Sequence, residues 1–264
     1  MSARKCHNMP LGDAAQAKSL VPALITEFIG TFFLVLTVYL CVSEATANPG
    51  TLPLAPLAIG TALGVMVYMG GHISGGHYNP AVTVGCALSC RSKLGSTWLQ
   101  VLSYIAVQCF GGIMAALVGY GLRYEPTAKA VVLAPSSVGP GIAAEIIFTF
   151  ALVTVVLNVA TTETSQVPGA DGNINNQFFG FAIGSTLFVG ATSIGKISGC
   201  AINPAVGTGL ILVDTFFGGG ASAFTNIWIY WVGPLTGAGM ATAVYFLTNP
   251  REYAPVDKSA DQKA

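Results

Sequence analysis

The tripeptide Asn-Pro-Ala occurs twice, and each copy opens an apolar segment that is too short to cross a membrane. The two segments cover residues 79–89 and 203–213. At a rise of 1.5 Å per residue each would span about 16 Å as a helix, roughly half of the hydrocarbon core of a bilayer. Asn is a favoured helix N-cap and Pro is tolerated in the first turn, so each tripeptide predicts a helix start. A chain with two such half-helices has to bury both among longer spans.

Six longer apolar runs surround the half-helices. They cover about 20–42, 53–70, 96–122, 141–160, 177–191 and 223–247. Only 8% of the residues are charged and the formal net charge is zero, whereas soluble domains carry about 25% charged residues. This composition excludes a soluble globule, a disordered protein and a nucleic-acid-binding protein. It predicts an all-α membrane protein with six transmembrane helices and two re-entrant half-helices.

The half-helices belong to an internal repeat. The second Asn-Pro-Ala follows the first by 124 residues (203 − 79), Glu145 follows Glu27 by 118, and Tyr230 follows Tyr104 by 126. Two repeat halves, about 20–122 and 141–248, therefore each hold three spans and one half-span, between polar tails at 1–19 and 249–264. Because three spans invert the direction of the chain, the second half is predicted to be upside down. Inverted repeats of this kind place a substrate path at the midplane.

The distribution of Lys and Arg predicts the orientation. Eight of these residues fall in the two tails and the loops near 91–93, and three fall on the opposite side. Since cytoplasmic loops carry an excess of Lys and Arg, both termini of this multi-pass protein are predicted to be cytosolic. The pattern is compatible with a plasma membrane and with a vacuolar membrane.

Two inverted half-helices would point their positive N-terminal ends at each other. Asn79 and Asn203 can cap these helices and still offer an amide to a passing water, whereas a cation or a proton would meet two positive ends. The pattern predicts a passive channel for water, with no chemistry and no cofactor. We find no metal-ligand spacing, catalytic constellation or disulfide framework in the sequence, so neither an enzyme nor a metal site is expected.

Glu27 and Glu145 are the two carboxylates inside the predicted spans. In a transporter they would form a proton or ion site, because buried charges in membranes are usually functional. In a channel each would accept hydrogen bonds from the backbone of its re-entrant loop, which needs partners at membrane depth. Their repeat-related positions favour the second role.

The sequence resembles the major intrinsic proteins, or aquaporins, over roughly residues 20–248. The resemblance is carried by Gly71-His72-Ile73-Ser74-Gly75-Gly76-His77-Tyr78-Asn79-Pro80-Ala81-Val82-Thr83, Thr26-Glu27-Phe28-Ile29-Gly30-Thr31-Phe32, Gly199-Cys200-Ala201-Ile202-Asn203-Pro204-Ala205 and Tyr230-Trp231-Val232-Gly233-Pro234-Leu235. It implies a homotetramer embedded in the lipid bilayer, with one pore per subunit.

The resemblance also implies a narrower selectivity filter outside the two motifs. Counting from the motifs assigns Ile59, Cys200 and Val206 to it, with Val206 where most members carry Arg. For the fifth-span position, counting back twelve residues from Asn203 gives Ala191, and counting forward from Gly180 gives Leu187. The segment between these landmarks is about four residues longer than is usual in the family. Because insertions are accepted more easily in loops than in spans, Leu187 is favoured. Such an apolar filter is typical of tonoplast-type and some protozoan members, and it predicts passage of ammonia, urea or hydrogen peroxide besides water.

Two alternatives remain open at this stage. The first is a glycerol or urea facilitator, although Gly207 stands where glycerol channels carry Asp. The second is a secondary transporter, since inverted repeats with broken helices also build transporters. A membrane-centred Asp, Lys or Arg for ion coupling is missing from the sequence pattern, which favours the channel.

Overall fold

The structure, a computed structural model, describes residues 14–48, 54–91, 97–123, 131–162, 177–218 and 224–253. In these ranges the chain forms eight α-helices and no strand. They are α1 (Ala14–Ala47), α2 (Ala55–Gly70), α3 (Pro80–Leu88), α4 (Trp98–Leu122), α5 (Val138–Val156), α6 (Phe179–Ile194), α7 (Pro204–Val213) and α8 (Ile229–Thr248). A π-helical turn extends α5 (Leu157–Thr161) and another extends α7 (Asp214–Gly218), and a 3-10 turn follows α8 (Pro250–Tyr253). The predicted all-α membrane fold is confirmed.

Six of the helices correspond to the predicted spans, and α3 and α7 to the predicted half-spans. Three segments are long and apolar enough to cross a bilayer, namely Leu20–Ala47, Trp98–Leu122 and Val138–Thr161. Helices α2 and α6 are apolar but have only 16 residues each. The sixth span begins at Ile229 and not near 223, because residues 225–228 form turns.

The helices pack as two inverted halves. Helix α1 packs on α4 in the first half, α5 packs on α8 in the second, and α2 packs on α6 between the halves. At the centre of the α2–α6 contact, a Cβ atom added to Gly184 would lie 2.4 Å from the carbonyl oxygen of Gly60. Small residues allow helix backbones to approach this closely in membranes. The two glycines therefore set the distance between the halves.

The half-helices fill the spaces that the long helices leave. Helix α3 packs against α8 of the other half, and α7 packs against α4. Each half-helix is thus held by both halves, and their N-terminal ends meet inside the bundle.

Polar contacts show which helix ends share a face of the molecule. Arg91, just after α3, forms a 2.7 Å ion pair with Glu252 and also donates to the carbonyl of Thr161. The Tyr253 hydroxyl donates to the carbonyl of Ser89 at 2.8 Å, and burial raises the pKa of this hydroxyl. The ends of α3, α5 and α8 therefore lie on one face, and the first residues of the predicted C-terminal tail are packed against it.

The opposite face carries the ion pair between Glu44, near the end of α1, and Arg123, after α4. The end of α1 and the end of α4 therefore lie on the same side of the membrane.

One expectation of the sequence is wrong: Cys90 is disulfide-bonded, although the scattered cysteines suggested no disulfides. Spacing along the chain did not reveal this because it does not report which thiols are close in space.

Candidate pore

Each half-helix begins where its Asn caps it. Asn79 has an extended backbone (φ −157°, ψ 120°), and its Oδ1 accepts the N–H of Ala81 at 2.8 Å. Asn203 has nearly the same conformation (φ −157°, ψ 111°), and its Oδ1 accepts the N–H of Ala205 at 2.9 Å. The following prolines need no N–H partner in the first turn. Pro80-Ala81 and Pro204-Ala205 therefore start the two half-helices in the same way.

The same two asparagines join the half-helices tip to tip. The Nδ2 of Asn79 donates to the carbonyl of Ile202 at 2.9 Å, and the Nδ2 of Asn203 donates to the carbonyl of Tyr78 at 2.9 Å. An amide nitrogen carries two hydrogens, so each Asn keeps one N–H besides the one in this cross-link. Both side chains are only 3% exposed, and both line the central cavity.

Glu27 lies under the first re-entrant loop and accepts four hydrogen bonds. Its Oε1 accepts from the hydroxyl of Ser74 at 2.6 Å and from the N–H of His77 at 3.0 Å. Its Oε2 accepts from the N–H of Tyr78 at 2.6 Å and from the Nε2 of Gln108 at 2.8 Å. Loop backbone that would be unpaired at membrane depth is satisfied in this way.

Glu145 does the same for the second loop with three donors. Its Oε1 accepts from the hydroxyl of Ser198 at 2.6 Å and from the N–H of Ala201 at 3.0 Å, and its Oε2 accepts from the N–H of Ile202 at 2.6 Å. Pro234 occupies the position equivalent to Gln108 and has no side-chain donor. The geometry of both carboxylates corresponds to the loop-supporting role and leaves neither exposed to the cavity.

The last residues before each Asn adopt left-handed backbone conformations. In the first loop Gly75, Gly76 and Tyr78 have φ of 97°, 65° and 49°. In the second loop the equivalent residues, Gly199, Cys200 and Ile202, have φ of 87°, 52° and 38°. A positive φ is unfavourable for residues with a side chain, above all for a β-branched one. Such strain persists where surrounding contacts fix the backbone, as the carboxylates do here.

The tips of the half-helices lie in a cavity with a largely apolar wall. The wall includes repeat-related pairs from α1 and α5, from α2 and α6, and from α3 and α7. These pairs are Leu34 and Leu152, Val38 and Val156, Ile59 and Ile183, Leu63 and Leu187, and Val82 and Val206. Among the described residues that line this cavity there is no Asp, Glu, Lys or Arg.

The structure brings the residues assigned to the filter into this one cavity. Ile59, Leu187, Cys200 and Val206 all line it, and so does Ala191. Cys200 carries a free thiol that is 8% exposed. No group of His, Cys, Asp and Glu able to hold a metal ion occurs in the part of the chain that the structure describes.

The re-entrant loops have equal lengths, which bears on the fifth-span position. Each loop has eight residues, 71–78 after α2 and 195–202 after α6. The second loop therefore has no extra residues relative to the first. Both Leu187 and Ala191 line the cavity, and the choice between them stays a prediction. A Cβ on Gly190 would lie 3.2 Å from the Cys200 Sγ, so the turn that holds Ala191 is level with Cys200.

A polar chain that the sequence did not reveal connects Glu27 to the cavity wall. Gln108 donates from Nε2 to Glu27 and also to the Oγ1 of Thr83 at 2.9 Å. The Thr83 Oγ1 lies 3.2 Å from the Nδ1 of His77, which lines the cavity. His77 and Thr83 belong to the motif around the first Asn-Pro-Ala, but Gln108 lies 25 residues beyond Thr83. The motif therefore does not reveal that Gln108 contacts it.

An inverted repeat of six spans, with two half-helices that meet inside it, defines a class of integral membrane protein with a path between its halves. The model of the major intrinsic protein family matches residues 9–245. Aquaporin NIP1-1 of Zea mays is 33% identical over 249 residues, covering 89% of this chain and 78% of that protein. Aquaporin TIP1-1 of Arabidopsis thaliana is 32% identical over 264 residues, covering 94% and 97%.

A solved structure supports the fold. The X-ray structure of the aquaglyceroporin from Plasmodium falciparum matches with a TM-score of 0.71 at 20% sequence identity, covering 88% of this chain and 98% of that chain. Together with the sequence relatives, the match of the family model shows that the chain belongs to the major intrinsic protein family.

Proposed function

We propose that the protein is a passive channel that conducts water and small neutral solutes such as ammonia, urea or hydrogen peroxide. One observation carries the proposal: the two capped half-helices meet tip to tip in a cavity, and each cap keeps an amide hydrogen besides the one in the cross-link. The relatives of this chain that are named aquaporins support it.

Ion exclusion follows from the orientation of the half-helices. Both N-terminal ends are at the junction, and each end carries a partial positive charge. The remaining N–H groups of Asn79 and Asn203 donate to the oxygen of a passing water, so that this water cannot donate to both of its neighbours in the file. A cation or a proton meets a positive potential there.

The wall of the cavity argues against a secondary transporter. Its described lining residues include no Asp, Glu, Lys or Arg, and Glu27 and Glu145 are fully buried under the loops. An ion-coupled mechanism therefore finds no carboxylate facing the cavity among the residues that the structure describes. Membership of the family likewise implies a channel and not an enzyme.

The filter is proposed to consist of Ile59, Cys200 and Val206, with Leu187 or Ala191 from α6. These side chains are apolar or weakly polar and provide no fixed cation. Neutral solutes are therefore expected to pass this filter more easily than they would pass a filter that contains Arg. For the same reason, the second candidate function is that of a glycerol or urea facilitator.

The orientation and assembly are proposed from the charge distribution and the family. Both termini face the cytosol, the channel unit covers residues 20–248, and four subunits form a homotetramer with one pore each. The membrane is a plasma membrane or a vacuolar membrane.

Reconstituted vesicles test the channel directly. After an osmotic jump, vesicles containing the protein are expected to shrink at least tenfold faster than empty vesicles, with weak temperature dependence, as measured by light scattering. Parallel measurements with urea, ammonia and glycerol rank the solutes. Shrinkage at the rate of empty vesicles would refute the channel, and saturable flux that requires an ion gradient would favour the transporter.

Val206→Arg tests the filter. The added cation and bulk are expected to lower urea and glycerol flux about tenfold or more while water flux persists, because a fixed charge with ordered donors excludes larger solutes. Val206→Leu is the matched control, since it adds bulk without charge and should reduce urea flux far less. An unchanged solute range in Val206→Arg would remove Val206 from the filter.

The same assay decides between the two candidates on α6. Leu187→Phe and Ala191→Phe each add an aromatic ring at one position. The variant with the larger loss of urea flux identifies the filter residue. Equal flux in both variants and in the wild type would exclude this face of α6 from the filter.

A further inference from the structure

We infer that Leu133 is a positioning residue for solute selectivity: it packs behind the second re-entrant loop at Gly199 and sets how far Gly199 and Cys200 project into the cavity. The inference rests on the proposed function and deepens it. Leu133 belongs to the 131–136 segment, which precedes α5, and is not itself part of the cavity wall.

The 131–136 segment turns alternate side chains toward the protein. Val131 and Leu133 are 6% and 5% exposed, whereas Val132 between them is 59% exposed. Successive side chains of an extended chain point in opposite directions, which accounts for this alternation. Leu133 is therefore directed inward by the backbone of the segment.

The segment is fixed on both sides of Leu133. The backbone of Val131 is hydrogen-bonded to the side chain of Tyr39 in α1. The N–H of Ser136 donates to the carbonyl of Ile197 in the second re-entrant loop at 2.8 Å. The segment thus connects α1 to this loop, and Leu133 is held between the two attachments.

Leu133 fills the space next to the backbone of Gly199. A Cβ atom added to Gly199 would collide with the Cδ1 of Leu133, and Gly199 has a left-handed backbone with φ of 87°. Leu133 also belongs to the buried apolar cluster that contains Ala201 and Val206. Because neighbours in this cluster surround Leu133, its side chain and the loop fix each other's position.

The first re-entrant loop fills the corresponding space with one of its own residues. Gly75 is equivalent to Gly199 and has φ of 97°, and a Cβ atom added to it would lie 3.0 Å from the Nε2 of His77. In the second loop Ala201 stands at the position of His77, and its methyl group is too small to fill this space. Leu133 supplies the missing side chain from outside the loop.

The position of Gly199 matters for the filter because the next residue is Cys200. Both residues line the cavity, and Cys200 is one of the proposed filter residues. Glu145 accepts the N–H groups of the two residues after Cys200, and Leu133 packs on the residue before it. A smaller side chain at 133 would leave space behind Gly199, so that the loop could withdraw from the cavity. A wider opening favours larger neutral solutes over water.

Flux through Leu133→Ala tests the effect on selectivity. In reconstituted vesicles the ratio of urea flux to water flux is expected to rise about threefold or more, because flux depends exponentially on the barrier at the filter. Val132→Ala is the matched control, since it shortens the exposed neighbour, and it should keep the wild-type ratio. Leu133→Met keeps the volume of the side chain and should keep the ratio as well.

Two results of the flux measurement would overturn the inference. The first is an unchanged ratio in Leu133→Ala, including an equal loss of both fluxes, which is the result of a merely structural role. The second is the same rise in Val132→Ala. If Leu133→Ala does not fold, Leu133→Val removes one methylene and should shift the ratio in the same direction, and an unchanged ratio there would overturn the inference.

A double-mutant cycle tests the contact without requiring flux. Gly199→Ala introduces the Cβ atom that collides with Leu133, so it should lower the thermal midpoint of the detergent-solubilised protein more in the wild type than in Leu133→Ala. The strain of alanine at a positive φ is common to both backgrounds and cancels in the cycle. Gly75→Ala is the matched control, because its contact is with His77, and it should lower the midpoint equally in both backgrounds.

Equal effects of Gly199→Ala in the two backgrounds would overturn the inference. If Gly199→Ala folds in neither background, the flux ratio of Leu133→Ala decides alone. Wild-type vesicles that do not conduct would instead refute the proposed function, and the cycle would still decide whether Leu133 fixes the second re-entrant loop.

Discussion

Glu145→Ala is expected to abolish the folded second re-entrant loop. The substitution leaves the N–H groups of Ala201 and Ile202 without their buried acceptor, together with the hydroxyl of Ser198. A buried donor left unsatisfied costs about 1–3 kcal/mol, so the two backbone groups alone cost about 2–6 kcal/mol. The thermal midpoint of the detergent-solubilised protein should fall sharply, and water flux per protein should be lost.

Glu44→Ala is the matched control for this change. It removes the same side chain from a helix in the same membrane protein, but Glu44 pairs with Arg123 near the surface, where ion pairs contribute little. Its thermal midpoint and flux should stay close to those of the wild type. Equal midpoints for Glu145→Ala and Glu44→Ala would show that the loop does not depend on the carboxylate.

Gly184→Ala is expected to separate the two halves. Its new Cβ atom would lie 2.4 Å from the carbonyl oxygen of Gly60, which is backbone and cannot rotate away. Helices α2 and α6 would have to move apart, and overpacking of this kind costs about 1–3 kcal/mol. Size-exclusion chromatography should show loss of monodisperse protein, and the surviving fraction should conduct less water.

Gly239→Ala is the control for the glycine. Gly239 lies inside α8, and a Cβ atom added there would meet nothing within 4 Å. Because alanine favours helices more than glycine does, this variant should be as stable as the wild type or slightly more so. A Gly184→Ala protein with the same stability and flux as Gly239→Ala would contradict the close contact.

The spans could be predicted from the sequence because a bilayer demands long apolar runs. Their ends were less certain, since hydropathy reports the thickness of the hydrocarbon and not the length of the helix. Helix α1 starts at Ala14, before the apolar run at 20. A helix satisfies its own backbone and can continue into water, so the mixed residues before 20 do not end it.

The site residues could be predicted from the sequence where the two halves carry the same residue at equivalent positions. Asn79 and Asn203, and likewise Glu27 and Glu145, stand at matched positions, and a repeat draws attention to them. The chain through Gln108, Thr83 and His77 has no counterpart in the second half, so comparison of the halves could not reveal it. Only the packing of α4 against the first loop brings these residues together.

Two features needed the three-dimensional arrangement for another reason. In the sequence Arg91 is only one of the positive charges near 91–93 that predict the orientation, but it is 6% exposed and paired with Glu252. The choice between Leu187 and Ala191 depended on counting residues through a turn, and equal loop lengths became visible only when the helix ends were known. In both cases distance along the chain was a poor guide to position.

The reciprocal hydrogen bonds from Asn79 to the carbonyl of Ile202 and from Asn203 to the carbonyl of Tyr78 have a consequence for how such a molecule could arise. Each half supplies one Asn amide donor and one backbone carbonyl acceptor, and the partner of each group lies in the other half. A single half therefore cannot form the junction between the half-helices. An ancestral unit of half this length would have needed a second copy inserted in the reverse direction to close the ring of contacts. Joining two copies in one chain, with an odd number of crossings in each, makes that opposed pairing automatic.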